Sequence, residues 1–261
     1  MGFWGEHLLT EGEERRLHVG RTDLWCALRS KELQLFWKDR AAADGNPDEA
    51  DPAAPEDAAW SRWAVEASRV ALHFSPIYPD RSLVARPSSP FFIPAGGSAR
   101  IYVRTPLFIR AEASASTKTL RLTEIPSMVL SNTWFGSFES GELCYWLTTT
   151  ARRTLLEEHF QPHLAVCPIQ IENASSSELH VSELCLRVAH LSIFEESRHF
   201  WSDEVRISYR GGEQAGSIEF GGAAPPEAPA GRLVCPPRAP LRRTLAARTF
   251  DTLRSGFGGM V

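Results

Sequence analysis

His159, His163 and Cys167 follow one another at intervals of four. Imidazole and thiolate are the donors that a zinc or iron site takes, and a spacing of four would turn both histidines to one helix face. Pro162 lies between them and stops the helix that this geometry requires. The plainer expectation is a helix-end His159, a loop His163 and a Cys167 sunk in the core of the following strand, with no metal and no cofactor held. The run EEHFQPH at Glu157–His163 concentrates carboxylates and imidazoles within seven residues. A hydrolase with an unfamiliar site could use His159 or His163 beside Glu157 or Glu158 as an acid–base pair. The familiar signatures are missing, however: no GxSxG, no GxxxxGK[ST], no GxGxxG behind a strand and no HExxH. That points away from an enzyme.

Contact chemistry is offered by SNTWFGSFESGE at Ser131–Glu142. Asn132 and Gly136 suit a tight turn. Trp134 and Phe135 on such a loop either fold back to cap one end of a sandwich or stay exposed. In the second case, with Glu139 and Glu142, they would hold a sugar or peptide by stacking and hydrogen bonds. FWGEH at Phe3–His7 is a second aromatic segment with a glycine. The tail is a third candidate. Ala246, Phe250, Leu253 and Phe257 recur at i, i+4, i+7 and i+11, one stripe of a helix over 241–257, although Leu241 and Leu245 fall off it. Five arginines against Asp251 give 238–254 a charge of +4, while the rest of the chain is −8. Such a tail either packs on its own body or uses Arg242, Arg243, Phe250, Leu253 and Phe257 on a partner. That partner would be another copy, a protein groove or an anionic lipid surface.

The elements that must position these residues are strands. Val205, Ile207 and Tyr209 alternate with Glu204, Arg206, Ser208 and Arg210, the pattern of a half-buried strand. The same period recurs at Val70–Phe74, at Ile101 and Val103, at Leu107–Ala111, at Leu120 and Leu122, and at Ile218 and Phe220. Glu142–Thr149 is apolar or aromatic on both faces and is expected to be a central, doubly covered strand. Residues 15–19, 22–29 and 31–38 read as a meander with very short turns, one at Gly20–Arg21. Around His180, Cys185 and His190 the inward parity changes, which implies a bulge or turn near Ser182–Glu183 and a solvent-facing His180. Helical patterning is confined to 151–160, ended by Pro162, and to the tail. Residues 39–59 carry seven acids, one Arg and three Pro and are expected to form a disordered acidic loop. Residues 221–240 hold six Pro and three Gly and are expected to be a linker.

The chain has 261 residues, 43% hydrophobic, with a net charge of −4. That length supports one large β domain or two smaller ones. Its mild acidity excludes general nucleic-acid binding, which needs clustered cations. Five cysteines with no CxxC pair indicate neither a zinc ribbon nor a thioredoxin-type site, and are expected to be buried reduced thiols. The opening MGFWGEHLLTEGEERR lacks the basic and apolar regions of a secretory signal, so the expected compartment is the cytoplasm.

FWGEHxLxEGE at 3–13, PIQIENASSSELHVSELCLRV at 168–188 and ARTFDTLRSGF at 247–257 resemble a prokaryotic family of uncharacterised proteins, domain-of-unknown-function family 432. The resemblance spans nearly the whole chain and implies a prokaryotic cytosolic protein without an established activity. It also suggests a gene that sometimes neighbours those of small-conductance mechanosensitive channels. The expected fold is mainly β, an antiparallel β-sandwich of two closely associated modules, 1–110 and 111–221. A Pro-rich linker and a basic amphipathic tail with a short helix would follow over 222–261. The expected function is a non-enzymatic interaction module that binds a protein partner or itself. The alternatives are a hydrolase or metal-dependent enzyme, and a membrane-peripheral accessory of a mechanosensitive channel.

Overall fold

The structure is a computed structural model that describes residues 2–40, 53–87, 89–115, 119–139, 141–148, 151–211, 216–240, 244–247 and Phe250. Most of the acidic 39–59 loop, and Arg242, Arg243, Leu253 and Phe257 of the tail, lie outside the described residues. The chain divides into two compact units. Unit 1 takes residues 1–79, 106–129 and 161–164; unit 2 takes 80–105, 130–160 and 165–261. The expected modules follow one another along the chain, whereas these units interleave, because strands far apart in sequence pair with one another.

In chain order the first strands are β1 (Gly5–Thr10), β2 (Glu14–Val19), β3 (Thr22–Arg29), β4 (Glu32–Asp39), β5 (Ser61–Ala64) and β6 (Arg69–Ile77). They are followed by β7 (Leu83–Arg86), β8 (Phe91–Ile93), β9 (Ser98–Pro106), β10 (Phe108–Ser114) and β11 (Thr119–Pro126). Then come β12 (Ser131–Phe135), β13 (Glu142–Thr148), β14 (Leu164–Asn173), β15 (Leu179–Val181), β16 (Leu184–Leu186) and β17 (Ile193–Glu196). The last are β18 (His199–Ser202), β19 (Val205–Tyr209), β20 (Gly216–Phe220), β21 (Arg232–Cys235) and β22 (Thr244–Ala247).

Unit 1 holds two four-stranded antiparallel sheets, β1-β6-β10-β11 and the meander β2-β3-β4-β5. Alternation builds its core. Val70, Leu72 and Phe74 of β6, Ile109 and Ala111 of β10, Leu24, Cys26 and Leu28 of β3, and Leu33 and Leu35 of β4 meet in one buried cluster. Each large side chain contributes about 1.5–3 kcal/mol by leaving water. Phe3 and Trp4 pack against the same cluster: Phe3 stacks on Phe74, and the Trp4 indole N–H donates to Pro162 O at 2.8 Å. Phe3 and Trp4 of the FWGEH segment therefore cover the core, and His7 is buried, while Glu6 is exposed. Gly20 makes the β2–β3 turn with φ +60°, and a Cβ there would lie 2.7 Å from Ser127 O and from the His163 ring. Leu120, expected inward, lies opposite buried Ala113 but is half exposed near the start of β11, while Leu122 packs against the core where the β10–β11 register slips at Ala111/Glu112.

Unit 2 contains an eight-stranded sheet, β21-β17-β18-β14-β19-β20-β22, in which β9 also pairs with β14. It also contains the β12-β13-β7-β16 sheet and the β15–β8 ladder. The fold is mainly β, as expected, but it is not wholly antiparallel: β14 runs parallel to β18 and β19, and β13 parallel to β7. Most of β14 is buried on both faces, which is how a strand in parallel pairing reads as a continuous apolar run. The expected turn near Ser182–Glu183 separates β15 from β16, and His180 faces solvent, stacked on Phe92.

Three expectations are corrected. Residues 151–160 hold only a 3-10 turn at Glu157–His159, and Arg152 pairs with Tyr102 as a β-bridge instead. Pro162 follows too closely for a longer helix to form. The tail is not helical at Thr244–Ala247, which pairs antiparallel with β20. A neighbouring strand edge satisfies those backbone groups directly. Residues 221–240 are not a solvated linker. Ala228 is fully buried in a cluster with Val166, Phe194 and Trp201, and Arg232–Cys235 pairs with β17. The Glu227 carboxylate accepts from Arg100 Nε (2.8 Å) and Nη2 (3.0 Å) and from the Tyr102 hydroxyl (2.8 Å). Arg100 Nη1 also donates to Glu204 at 2.6 Å. Burial works against the Arg100 charge, but these acceptors outweigh it and raise its pKa. Asp203, fully buried, accepts the Ser192 and Gly222 N–H groups at 2.9 and 3.1 Å and ties down the start of the same segment.

Candidate functional site

The β12–β13 hairpin presents two chemically different faces. Its register sets Trp134 opposite Leu143 and Phe135 opposite Glu142. Alternation then sends Trp134 and Leu143 outward and Phe135 and Cys144 inward. Trp134 is 53% exposed, Leu143 46%, and Phe138 at the tip 96%. The turn is held in one shape. The Trp134 indole N–H donates to Ser137 O at 3.0 Å, and Gly141 N–H donates to the same oxygen at 2.7 Å. Gly141 must lack a side chain, because a Cβ would fall 2.2 Å from Trp134 Nε1. Gly136 sits at φ +102°. Glu139 is exposed beside the tip. Trp134 therefore neither caps a core nor moves freely; it is an exposed aromatic fixed by its own turn. Among the described residues, β12 is one of the two end strands of its sheet. Across β13, Arg81 donates to Asn132 Oδ1 at 2.8 Å and lies 5.2 Å from the Tyr145 ring centre.

The opposite face is closed. Val84, Phe135, Cys144 and Cys185 form a small buried cluster with Trp146 packed against it. At its edge, Arg187 pairs with Glu142 and donates to Ser82 Oγ at 3.2 Å. The neighbouring Cys185 thiol lowers the Cys144 pKa although burial opposes it, and Cys144 together with burial raises the Cys185 pKa. Burial pulls the Arg187 guanidinium down. The Glu142 oxygen and the two sulfurs all lie within 4.8 Å of one another.

The other sequence candidates disperse. Cys167 is fully buried in β14, and the extended backbone that starts at Leu164 carries it away from His163. The His159 side chain lies outside the described set. Glu157 and Glu158 are exposed, and Glu158 pairs with Arg152 at 3.4 Å. Phe135 and Phe250, expected on a contact surface, are both buried; Phe250 meets Tyr209 edge-to-face. All five cysteines are buried and no disulfide joins them. Sequence reasoning missed the meeting of Cys144, Cys185 and Arg187. Their apolar surroundings pointed to buried thiols, but their approach requires β7 to lie between β13 and β16, and no local pattern records that.

A family model described as a protein of unknown function, DUF432, matches residues 3–254. The chain belongs to that family. No curated protein and no solved structure matches it. In this DUF432 protein the matched span takes in both units and the whole hairpin. Among the described residues, no helix is long and apolar enough to cross a membrane.

Proposed function

We propose that this DUF432 protein is a non-enzymatic interaction module on a β-sandwich scaffold, and that its contact surface is the outer face of the β12–β13 hairpin. The carrying observation is the exposure of Trp134, Phe138 and Leu143 on a turn that is already rigid. Covering each of these side chains would contribute about 1.5–3 kcal/mol, and the fixed turn removes much of the ordering cost that a loose loop would add. Among the described residues β12 is an end strand of its sheet, so an extended protein segment can add alongside it by main-chain hydrogen bonds while its side chains meet the aromatics. Glu139 at the rim favours a segment carrying Lys or Arg. The scattering of the titratable residues at 157–167 supports the non-enzymatic reading.

Panning a displayed library of extended peptides against the full chain tests this. The native protein is expected to enrich sequences that alternate apolar and polar residues and carry basic flanks. Trp134→Ala/Phe138→Ala, with an unchanged far-UV spectrum, is expected to lose them. Equal enrichment by native protein and variant would refute the assignment of the surface.

A further inference from the structure

We propose that Cys144, Cys185 and Glu142 form a binding site for one thiophilic divalent cation of the zinc type, inside the β12-β13-β7-β16 sheet. The ligand atoms come from β13 and β16, and all three lie within 4.8 Å of one another. With a Zn–S bond of about 2.3 Å, two thiolates on one tetrahedral ion stand roughly 3.8 Å apart. The two sulfurs can therefore close on an ion by side-chain adjustment alone.

The same placement argues against the obvious competitor, a disulfide. β7 pairs with β13 on one side and β16 on the other, so two strand spacings separate the cysteine backbones. That is roughly 9.5 Å, and a disulfide needs Cα atoms within about 7 Å. A metal ion spans the gap that a direct S–S bond does not.

Charge selects the valence. Two thiolates and a carboxylate bring three negative charges. The Arg187 guanidinium, paired with Glu142 and only 11% exposed, supplies one positive charge, and a divalent ion supplies the other two. The donor set selects the element. Sulfur ligands favour zinc over magnesium or calcium, which take oxygen. Arg187 and Ser82 hold the carboxylate from behind, the outer support that metal ligands ordinarily need. Phe135, Val84 and Trp146 shield the sulfurs, and Glu142, 43% exposed, stands where an ion would enter. Binding forms two metal–sulfur bonds and one metal–oxygen bond and releases both thiol protons to solvent; no electrons are transferred.

The test uses the reduced full chain, stripped with chelator and titrated with Co2+ under inert gas. One equivalent should produce the near-ultraviolet thiolate-to-cobalt band with release of close to two protons, and Zn2+ should abolish the band with no further proton release. Cys144→Ser and Cys185→Ser should each weaken binding by about 100-fold or more, and Cys235→Ser should leave it unchanged. Glu142→Gln keeps both thiols and leaves an acceptor oxygen for Arg187, so it serves if the cysteine variants fold poorly; about 10-fold weaker binding is expected. The proposal is overturned if the native chain gives no saturable band, or if the band survives in Cys144→Ser/Cys185→Ser. Recovery of a Cys144–Cys185 disulfide peptide after mild oxidation would also overturn it.

Discussion

Replacing Glu227 with Ala probes the segment whose composition argues for a linker and whose contacts argue for a packed structure. Glu227 accepts two hydrogen bonds from Arg100 and one from Tyr102. The pair is partly shielded, with side chains 16% and 29% exposed. A hydrogen bond to a charged group contributes about 1.5–3 kcal/mol, and partial exposure places this pair at the low end. Arg100 keeps Glu204 after the substitution, so no charge is left wholly unpaired. The Tyr102 hydroxyl loses its acceptor. Together the expected loss is about 2–3 kcal/mol. For a chain of this size that lowers the melting temperature by about 5–10 °C. Near-ultraviolet circular dichroism during heating reads the shift. Trypsin provides the local readout, because cleavage after the exposed Arg232 should accelerate once the 221–231 segment detaches more readily. Glu178→Ala, an exposed carboxylate, is the control and should stay within about 0.5 kcal/mol of the native protein. A Glu227→Ala protein that melts with the native chain and is cut no faster would show that the segment is solvated and that the arginine network does not hold it.

Three further outcomes are expected. Gly20→Ala forces a Cβ against Ser127 O at a left-handed φ and should cost about 2 kcal/mol or more in urea unfolding; an unchanged midpoint would contradict the tight turn. Burial holds the Asp203 carboxyl above the usual range. An acid whose pKa is higher when folded contributes most below its unfolded value of about 3.9, and that contribution fades as pH rises through the folded pKa. Asp203→Asn removes this slope, so its stability relative to the native chain should improve from pH 4 to pH 7. Because the amide leaves one of two buried N–H groups without an acceptor, its absolute stability should fall by about 1–3 kcal/mol. Parallel unfolding curves across that range would refute the assignment. Burial pushes the Cys26 and Cys167 thiols up to about 12, so both should resist iodoacetamide at pH 8 in the folded chain and label only on denaturation, as read by peptide mass.

Much of the scaffold is legible in the sequence because burial in a strand has a period of two. The β2–β3–β4 meander, the inward residues of β6 and β19, and the turn between β15 and β16 all follow from residue type and spacing. Local pattern reached its limit where a distant partner decided the outcome. Alternation could not reveal the bulge in β11. Proline and glycine counts could not foresee that Glu227 would find Arg100, or that Ala228 would enter a core. The apolar stripe in the tail could not show that Thr244–Ala247 would pair with β20.

The hairpin carries the same division. Its turn chemistry and its alternating faces are local properties, so Trp134 and Glu139 stand out from sequence alone. The apolar runs around Cys144 and Cys185 also marked them as buried thiols. That the two sulfurs lie together beside Glu142 and Arg187 was decided by tertiary structure, because β7 inserts between β13 and β16 through pairings remote in the chain. Side-chain periodicity is encoded over a few residues, whereas strand order is chosen by the whole fold.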